Sequence, residues 1–425
     1  MMIKVKPFSE KALSALRREA GFTPKHEAAV RVIVEAVRKR GDRALLEFTR
    51  RFDGVSLKPK DLVAGELEFR QAYKEVPRAA VRLIREARRN IQAYHRREPL
   101  KSWEYKGKRG ERLGQRFVPI ERIGVYAPGG KALYPSSVLM CAVPARVAGV
   151  QNIVLATPPQ RDGQVAPILL VAAREIGIKT VYKMGGAQAI AALAYGTETV
   201  RRVDKIVGPG NLYVALAKKL VFGDVGIDMI AGPSEVVILC DGTASAKEVA
   251  ADLLAQAEHD ERASAIAITN SASLGKKISQ EVEEQLATLP RKKIARASWT
   301  RFGGVFIVKD MKRGVEAANR LAPEHLEIMT RNPRVLLPLI RNAGAVFLGR
   351  YTPEPLGDYW AGPSHVLPTS GTARFSSVLS VADFLRRQSV IEYSGQALKP
   401  CRKKVAAFAR LEGLEAHARS AESRP

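Results

Sequence analysis

Apolar residues in the first 120 positions recur three and four apart, which is the spacing of one face of an amphipathic helix. The pattern is clearest over residues 26–52 and 77–95, where charged residues occupy most of the intervening positions. We therefore expect residues 1–120 to form a helical segment that packs on an α/β core.

After this segment, short β-rich runs alternate with alanine-rich helical stretches. RIGVYAP at 122–128 precedes PSSVLMCAVPARVAGV at 135–150, and VVILCD at 236–241 precedes a helical stretch that ends near residue 260. Such alternation predicts parallel sheets with helices on both faces. We expect a first α/β domain over residues 121–240.

The same alternation continues beyond residue 240 and then stops. Residues 241–350 are expected to form a second α/β domain or to complete the first. Residues 351–425 are predicted to be a loop-rich segment with a helical tail, which packs on its own chain or on another subunit. At 425 residues the chain is too long for one growing core, in agreement with two or more domains.

Composition narrows the class of protein. The apolar fraction is 46%, the charged fraction 26% and the mean hydropathy −0.13, as in a soluble globular protein. No run of eighteen apolar residues occurs, and MMIKVKPFSE lacks the apolar core of a secretory signal. We therefore expect a cytoplasmic protein without a membrane-spanning segment.

The net charge of +26 first suggests a nucleic-acid-binding protein. The charge is uneven, however: +15 over residues 1–120, zero over 121–260 and +11 over 261–425. The basic ends are typical of solvated helix faces and lack the interleaved aromatic residues that stack on bases. We predict an adventitious or adaptive basic surface and no specific nucleic-acid site; a basic nucleic-acid-binding protein without catalysis is the alternative.

Three cysteines, Cys141, Cys240 and Cys401, are far apart and show no CxxC spacing. The sequence therefore predicts neither a disulfide framework nor a cysteine-built zinc site. Cys141 and Cys240 lie in apolar runs, where buried structural thiols are commoner than reactive ones. A catalytic thiol is the alternative.

Three glycine-containing loops follow predicted strands: Ala127-Pro-Gly-Gly130, Gly185-Gly186 and Gly208-Pro-Gly-Asn211. Glycines between a strand and a helix allow the backbone to approach a dinucleotide pyrophosphate. None of the loops has the GxGxxG pattern, and each alone fits an ordinary turn. Together, in successive units, they predict a ligand cleft at one sheet edge.

The sequence has six histidines, and two of them lie close to carboxamide or carboxylate groups along the chain. Gln256 and His259 are three apart at a predicted helix end, so both side chains can reach one metal; a solvated helix end is the alternative. Glu324 and His325 follow a proline and offer a carboxylate beside a histidine base. Because neighbours in a strand face opposite sides, both reach one substrate only at an irregular strand end.

Two further residues are candidates for a metal site. Asp358 lies in a glycine-containing loop, where it is either a ligand or a turn former. His417 is eight residues from the last residue, so it can be a ligand only if the tail is firmly docked.

Ten motifs in order resemble the histidinol dehydrogenase family over about residues 25–420. They are RIGVYAPGG, VLMCAVPARVAGV, GGAQAIAALAYGT, VDKIVGPGNLYV, IAGPSEV, QAEHD, APEHLE, GDYWAGPSHVLPT, TARFSSVLSV and EGLEAHA. The resemblance implies two incomplete Rossmann-like α/β domains and a homodimer with shared active sites. It also implies oxidation of L-histidinol through L-histidinaldehyde to L-histidine, with two NAD and one zinc per subunit, in the last steps of histidine biosynthesis.

The resemblance also assigns residues. The zinc ligands are implied to be Gln256, His259 and Asp358, with His417 from the other subunit. Substrate contacts are implied at these four and at Ser234, His325 and Glu412, and NAD contacts at Tyr126, Gln188 and Asn211. His325 is implied to be the general base and Glu324 the group that activates water.

One departure from the family pattern is Ser364, where many relatives have Asn, so the hydrogen bonds of that loop are left undetermined. A paralogue that oxidises another small polar alcohol is the alternative; Glu412 and His417 favour histidinol, because a cationic substrate needs a carboxylate partner.

Overall fold

A computed structural model describes residues 5–8, 21–98, 100–129 and 133–424. The chain divides into two compact units. The first comprises residues 1–97 and 121–383, and the second comprises residues 98–120 and 384–425.

The first unit is α/β, with helices before, between and after its strands. Its helices are α1 (Pro24–Asp53), α2 (Glu66–Glu75), α3 (Arg78–His95), α4 (Pro135–Val147), α5 (Pro167–Glu175), α6 (Gly186–Tyr195), α7 (Leu212–Val221), α8 (Ala246–Ala257), α9 (Ala272–Thr288), α10 (Lys292–Phe302), α11 (Met311–Leu321), α12 (Pro333–Leu336) and α13 (Glu354–Tyr359).

The first sheet of this unit is parallel. In spatial order its strands are β6 (Thr180–Lys183), β5 (Asn152–Thr157), β4 (Arg122–Tyr126), β7 (Lys205–Val207) and β8 (Gly226–Ile227). Chain order reverses at β4, which has β5 on one side and β7 on the other. The carboxyl ends of β4 and β7 therefore flank the crevice in which open α/β sheets bind ligands.

Both faces of this sheet are buried, which explains its nearly continuous apolar strands. Tyr126 and Val154 on one face belong to the core cluster that includes residues of α1, α6 and α7. Ile123 and Val125 alternate with them on the opposite face and are fully buried.

The second sheet is also parallel. In spatial order its strands are β1 (Val5–Pro7), β11 (Gly304–Ile307), β10 (Ser264–Thr269), β9 (Glu235–Cys240), β12 (His325–Met329) and β13 (Ala345–Leu348). In the pairing of β9 with β12, His325 lies opposite Val236. The residues that precede these two strands are therefore neighbours at the amino edge of the sheet.

The second unit contains an antiparallel sheet and a helical tail. In spatial order the strands are β14 (Leu385–Glu392), β3 (Arg112–Pro119) and β2 (Trp103–Lys106), and the helices are α14 (Gly395–Leu398), α15 (Arg402–Leu411) and α16 (Glu415–Glu422). The structure thus places strands at 103–106 and 112–119, within the segment expected to be helical, and at 385–392, within the segment expected to be loop. β14 pairs with β3 across more than 260 residues of sequence, a pairing that no local pattern could predict. β2 and β3 form a local hairpin inside a segment whose other parts have helical periodicity.

The predicted fold class is confirmed: parallel α/β sheets, a helical N-terminal region and a helical C-terminal tail. Among the described residues, no helix is both long and apolar enough to cross a bilayer.

Candidate active site

The candidate site lies at the amino edge of the second sheet. Ser234 precedes β9, and Glu324 directly precedes β12, whose first residue is His325. Helix α8 runs back toward this edge and ends near Gln256 and His259. The backbone is irregular at the start of β12, because Ala322 has a positive φ of 51°. The predicted irregular strand end is present, with Glu324 Oε2 3.8 Å from His325 Nδ1.

His325 is fixed in one tautomer by the backbone. Its Nδ1 lies 3.2 Å from the carbonyl oxygen of Glu235, which can only accept, so Nδ1 carries the proton. Nε2 is then the basic atom, and it lies 4.0 Å from Asp358 Oδ1. Burial, with a smaller contribution from His259 and His365, lowers the pKa of His325 to about 3, although the hydrogen bond to Glu235 opposes the shift. The imidazole is therefore neutral, with Nε2 free of a proton.

Glu324 is a buried carboxyl with a tightly defined position. Its Oε2 accepts a hydrogen bond from the Glu235 amide at 3.0 Å, and its side chain also hydrogen-bonds Ser234. Burial raises the pKa of Glu324 well above its ordinary value, although these hydrogen bonds oppose the shift. Once ionised, such a carboxylate is a stronger base than one in water.

Candidate metal ligands meet beside His325. Ligand atoms of His259, Glu354 and Asp358 lie within 4.8 Å of one another. Gln256 is fully buried, and neither polar atom of its amide has a hydrogen-bond partner among the described residues. A buried amide without partners is costly, and a bound cation at its oxygen would remove part of that cost. The mixed N and O donor set fits zinc.

Glu354 is a site residue that the sequence reasoning missed. It begins α13 between two prolines, is 2% exposed, and its Oε1 lies 3.7 Å from His325 Nδ1. Burial raises the pKa of Glu354 well above its ordinary value, and the negative charges of Asp358 and Glu327 raise it further. The available signal was the spacing of four to Asp358, which places both carboxylates on one side of a short helix.

His365 contacts the short helix α13, which carries Asp358. The prediction that Asp358 lies in a loop was wrong, because residues 354–359 form this helix after Pro353. His365 Nδ1 donates to the Asp358 carbonyl at 3.0 Å, and its Nε2 accepts from Ser137 Oγ at 3.3 Å. The neighbouring Ser364 donates to the Met140 carbonyl at 3.3 Å and accepts from the Val366 amide at 3.2 Å. The serine therefore has both hydrogen bonds satisfied within the fold.

The residues predicted to contact NAD lie beside the carboxyl ends of the strands of the first sheet. Tyr126 ends β4, and its hydroxyl accepts from the Gly186 amide at 3.1 Å. Gln188 is in the first turn of α6, and its buried Nε2 has no partner in the described part of the chain. Asn211 caps α7 by accepting from the Tyr213 and Val214 amides. Gly130, predicted in the first loop, lies outside the described residues.

The loop after β7 packs closely on the end of β4. Gly208 has a φ of 117°, and a side chain there would overlap the Tyr126 carbonyl. Its amide donates to Asp228 Oδ2 at 2.7 Å, and its carbonyl accepts from Lys218 Nζ at 3.0 Å. Gly208 is therefore required by the packing of this loop beside Tyr126, one of the residues predicted to contact NAD.

Glu412 and His417 belong to the second unit, where both are exposed. Glu412 follows α15, and His417 lies on α16. Their assignment to the active site stays a prediction.

The comparisons with known proteins are consistent over almost the whole chain. The family model described as histidinol dehydrogenase matches residues 16–425. Histidinol dehydrogenase from Bacillus subtilis (strain 168) is 54% identical over 424 residues, covering 99% of each chain. That of Moorella thermoacetica is 53% identical over 397 residues, covering 93% of this chain and 94% of the relative. The crystal structure of histidinol dehydrogenase from Elizabethkingia anophelis has a TM-score of 0.93 at 35% identity, covering 99% of this chain and 96% of that one. The chain therefore belongs to the histidinol dehydrogenase family.

Proposed function

We propose that the protein oxidises L-histidinol through L-histidinaldehyde to L-histidine, using two molecules of NAD and one zinc ion per subunit. Membership of the family makes it an oxidoreductase of histidine biosynthesis. The observation that carries the finer assignment is the buried pair of Glu324 and His325 beside His259 and Asp358. This arrangement combines a neutral base, a basic carboxylate and a cation site in one place.

Zinc would be held by Gln256, His259 and Asp358, with His417 from the other subunit of a homodimer. The unpartnered Gln256 amide and the N and O donor set support this assignment. When bound, zinc would hold and orient the imidazole and amine of the substrate. Glu354 is close enough to act as an additional ligand or to orient the others.

In the first oxidation His325 is the proton acceptor. Nε2 removes the proton of the substrate hydroxyl as the neighbouring C–H bond breaks. The Nδ1 hydrogen bond to Glu235 holds the ring in place and stabilises the positive charge that develops on it. NAD, when bound, accepts the hydride in each oxidation.

In the second oxidation Glu324 activates water. Its carboxylate takes a proton from water while the oxygen of that water bonds to the aldehyde carbon. His325 gives the proton it took in the first oxidation to the carbonyl oxygen, so that the hydrate forms and His325 is neutral again. His325 then takes a hydroxyl proton from the hydrate as the second hydride leaves. Hydrogen bonds from the Glu235 amide and Ser234 position Glu324 for this step.

NAD would lie at the carboxyl edge of the first sheet, against Tyr126, Gln188 and Asn211. Gln188 Nε2, which has no partner among the described residues, supports this position, and the Gly208 loop follows β7 at the same edge of the sheet.

The test is formation of NADH from histidinol by the purified protein. We expect activity that chelation abolishes and zinc restores, and we expect His325→Ala to lose roughly 10²- to 10⁴-fold in kcat. Asp260→Asn is the matched control: Asp260 is exposed beside His259, and its contact with the Arg262 amide can be kept by the Asn carbonyl. Normal turnover by His325→Ala, or by fully chelated protein, would contradict the proposal.

A further inference from the structure

The first sheet lacks an acidic residue at a position where dinucleotide-binding sheets use one. Its order, β6-β5-β4-β7-β8, corresponds to strands 3-2-1-4-5 of such a sheet. In that arrangement an Asp or Glu near the end of the second strand binds the adenosine ribose. The corresponding strand, β5, ends at Thr157 and is followed by Pro158 and Pro159.

Asp53 brings a carboxylate to this place from outside the sheet. It is the last residue of α1. A Cβ atom on Gly185, the residue before α6, would lie 3.3 Å from Asp53 Oδ1 and 2.6 Å from Pro158 Cβ. The Asp53 carboxylate therefore lies at the carboxyl ends of β5 and β6. Its charge also acts on the Tyr126 hydroxyl.

Nothing in the fold accounts for this carboxylate. Its Oδ2 is shielded from solvent and has no hydrogen-bond partner among the described residues. It stands at the C-terminal end of a helix, where the helix dipole disfavours negative charge. Burial raises the pKa of Asp53 to about 6, which is a further sign that the fold does not stabilise its charge.

Two more polar atoms at the same edge are also unsatisfied. Thr157 Oγ1 and Gln188 Nε2 are buried without partners within the described ranges. Thr157 Oγ1 lies 3.0 Å from where a Cβ would be on Gly129, in the loop after β4. Since buried polar groups are nearly always hydrogen-bonded, unsatisfied atoms around one crevice indicate a polar ligand that completes them.

We propose that Asp53 accepts hydrogen bonds from the adenosine ribose diol of NAD and so makes the enzyme select NAD over NADP. This inference rests on the proposed use of NAD. The ribose hydroxyls provide donors for the Asp53 carboxylate, which is partly exposed and whose Oδ2 receives no hydrogen bond from the described residues. A 2′-phosphate removes one donor and adds a negative charge beside the carboxylate. Thr157 and Gln188 contribute neutral hydrogen bonds at the same edge.

The experiment is titration of the full-length protein with NADH and with NADPH at pH 8, followed by nicotinamide fluorescence, without substrate. We expect Asp53→Ala to bind NADH roughly 10- to 100-fold more weakly, the value of a hydrogen bond to a charged group. We expect the preference for NADH over NADPH to fall by at least roughly tenfold. Asp53→Asn should lie between Asp53→Ala and the wild type.

Glu47→Gln is the control, because Glu47 is on the same helix, is solvent-exposed and pairs with Arg40 at 2.8 Å. It should bind both dinucleotides like the wild type. A purely structural role for Asp53 would lower the melting temperature of Asp53→Asn, whereas we expect no decrease.

The inference would be overturned if Asp53→Ala bound NADH within about twofold of the wild type and still rejected NADPH. Wild-type protein that binds neither dinucleotide would overturn the proposed use of NAD itself, which separates the two failures.

Discussion

Asp358→Asn should raise the free energy of unfolding of the metal-free protein. With zinc bound, the same variant should be less stable than the wild type. In the metal-free fold, burial raises the pKa of Asp358 from 3.8 to about 6. The folded state therefore holds the proton more tightly than the unfolded state does. The ionised carboxylate destabilises the fold above pH 6, and this penalty declines as the pH falls toward 4.

The size of the effect follows from that shift. A rise of about two units at 1.36 kcal/mol per unit is about 3 kcal/mol at pH 8 and about half of that at pH 5. Asn cannot ionise, so it removes the penalty. Zinc reverses the sign at a free concentration about one thousand times its Kd, because a metal that binds only the folded wild type then adds about 4.1 kcal/mol, which exceeds the penalty.

The assay is urea unfolding of chelated and zinc-loaded protein at pH 8 and pH 5. We expect the chelated variant to be more stable than the chelated wild type at pH 8, with a smaller difference at pH 5. Zinc should raise the stability of the wild type much more than that of Asp358→Asn. Asp260→Asn, which removes the same charge at an exposed position, should follow the wild type throughout.

Two results would refute this reasoning. If Asp358→Asn destabilised the chelated protein at pH 8, the carboxylate would be a structural group that the fold stabilises. If zinc stabilised the variant as much as the wild type, Asp358 would not be a ligand.

Three further predictions test other parts of the proposal. Cys141→Ala and Cys240→Ala should each keep kcat within about twofold, since burial raises the pKa of both thiols and leaves them unreactive; loss of both oxidation steps in either variant would support a catalytic thiol instead. Mixing inactive His325→Ala with inactive His417→Ala should restore part of the activity if sites are shared between subunits, and no recovery despite demonstrated subunit exchange would show that each site comes from one chain. Gly208→Ala should weaken NADH binding in a fluorescence titration by roughly tenfold or more, because a side chain at its positive φ collides with backbone; unchanged affinity would remove this loop from the NAD site.

The parallel sheets and the helices that cover them could be predicted from the sequence. Alternating apolar strands and helices gave both parallel sheets, because a buried strand or an amphipathic helix has a period that is visible within one segment. The proline before Glu324 and His325 predicted the entry to a strand, and both residues could reach one substrate only if that strand end were irregular. In the structure Glu324 Oε2 lies 3.8 Å from His325 Nδ1 at the start of β12.

Features that depend on distant residues were not predictable in this way. The antiparallel sheet joins residues 112–119 to 385–392, and neither stretch contains information about its partner. Glu354 lies in a loop-like segment of the sequence, yet it is buried against β12, where Glu327 Oε1 accepts from its amide at 3.0 Å. Burial of an acid by another part of the chain is a tertiary effect, so no motif reports it.

The arrangement of charge explains how a strongly basic protein can have a site for cations. Glu324, Glu327, Glu354 and Asp358 are packed near one another at the second sheet, and burial raises the pKa of each. These four residues lie in the segment 261–425, which carries an excess of +11, but exposed charges are screened beyond about 8 Å at physiological salt. Buried carboxylates are poorly screened, so they set the potential of the site. In the proposed function, a divalent metal and the amine of histidinol would relieve the repulsion between these carboxylates, whereas a sulfonated alcohol would increase it. The same carboxylates would then select the ligands of the proposed site by charge.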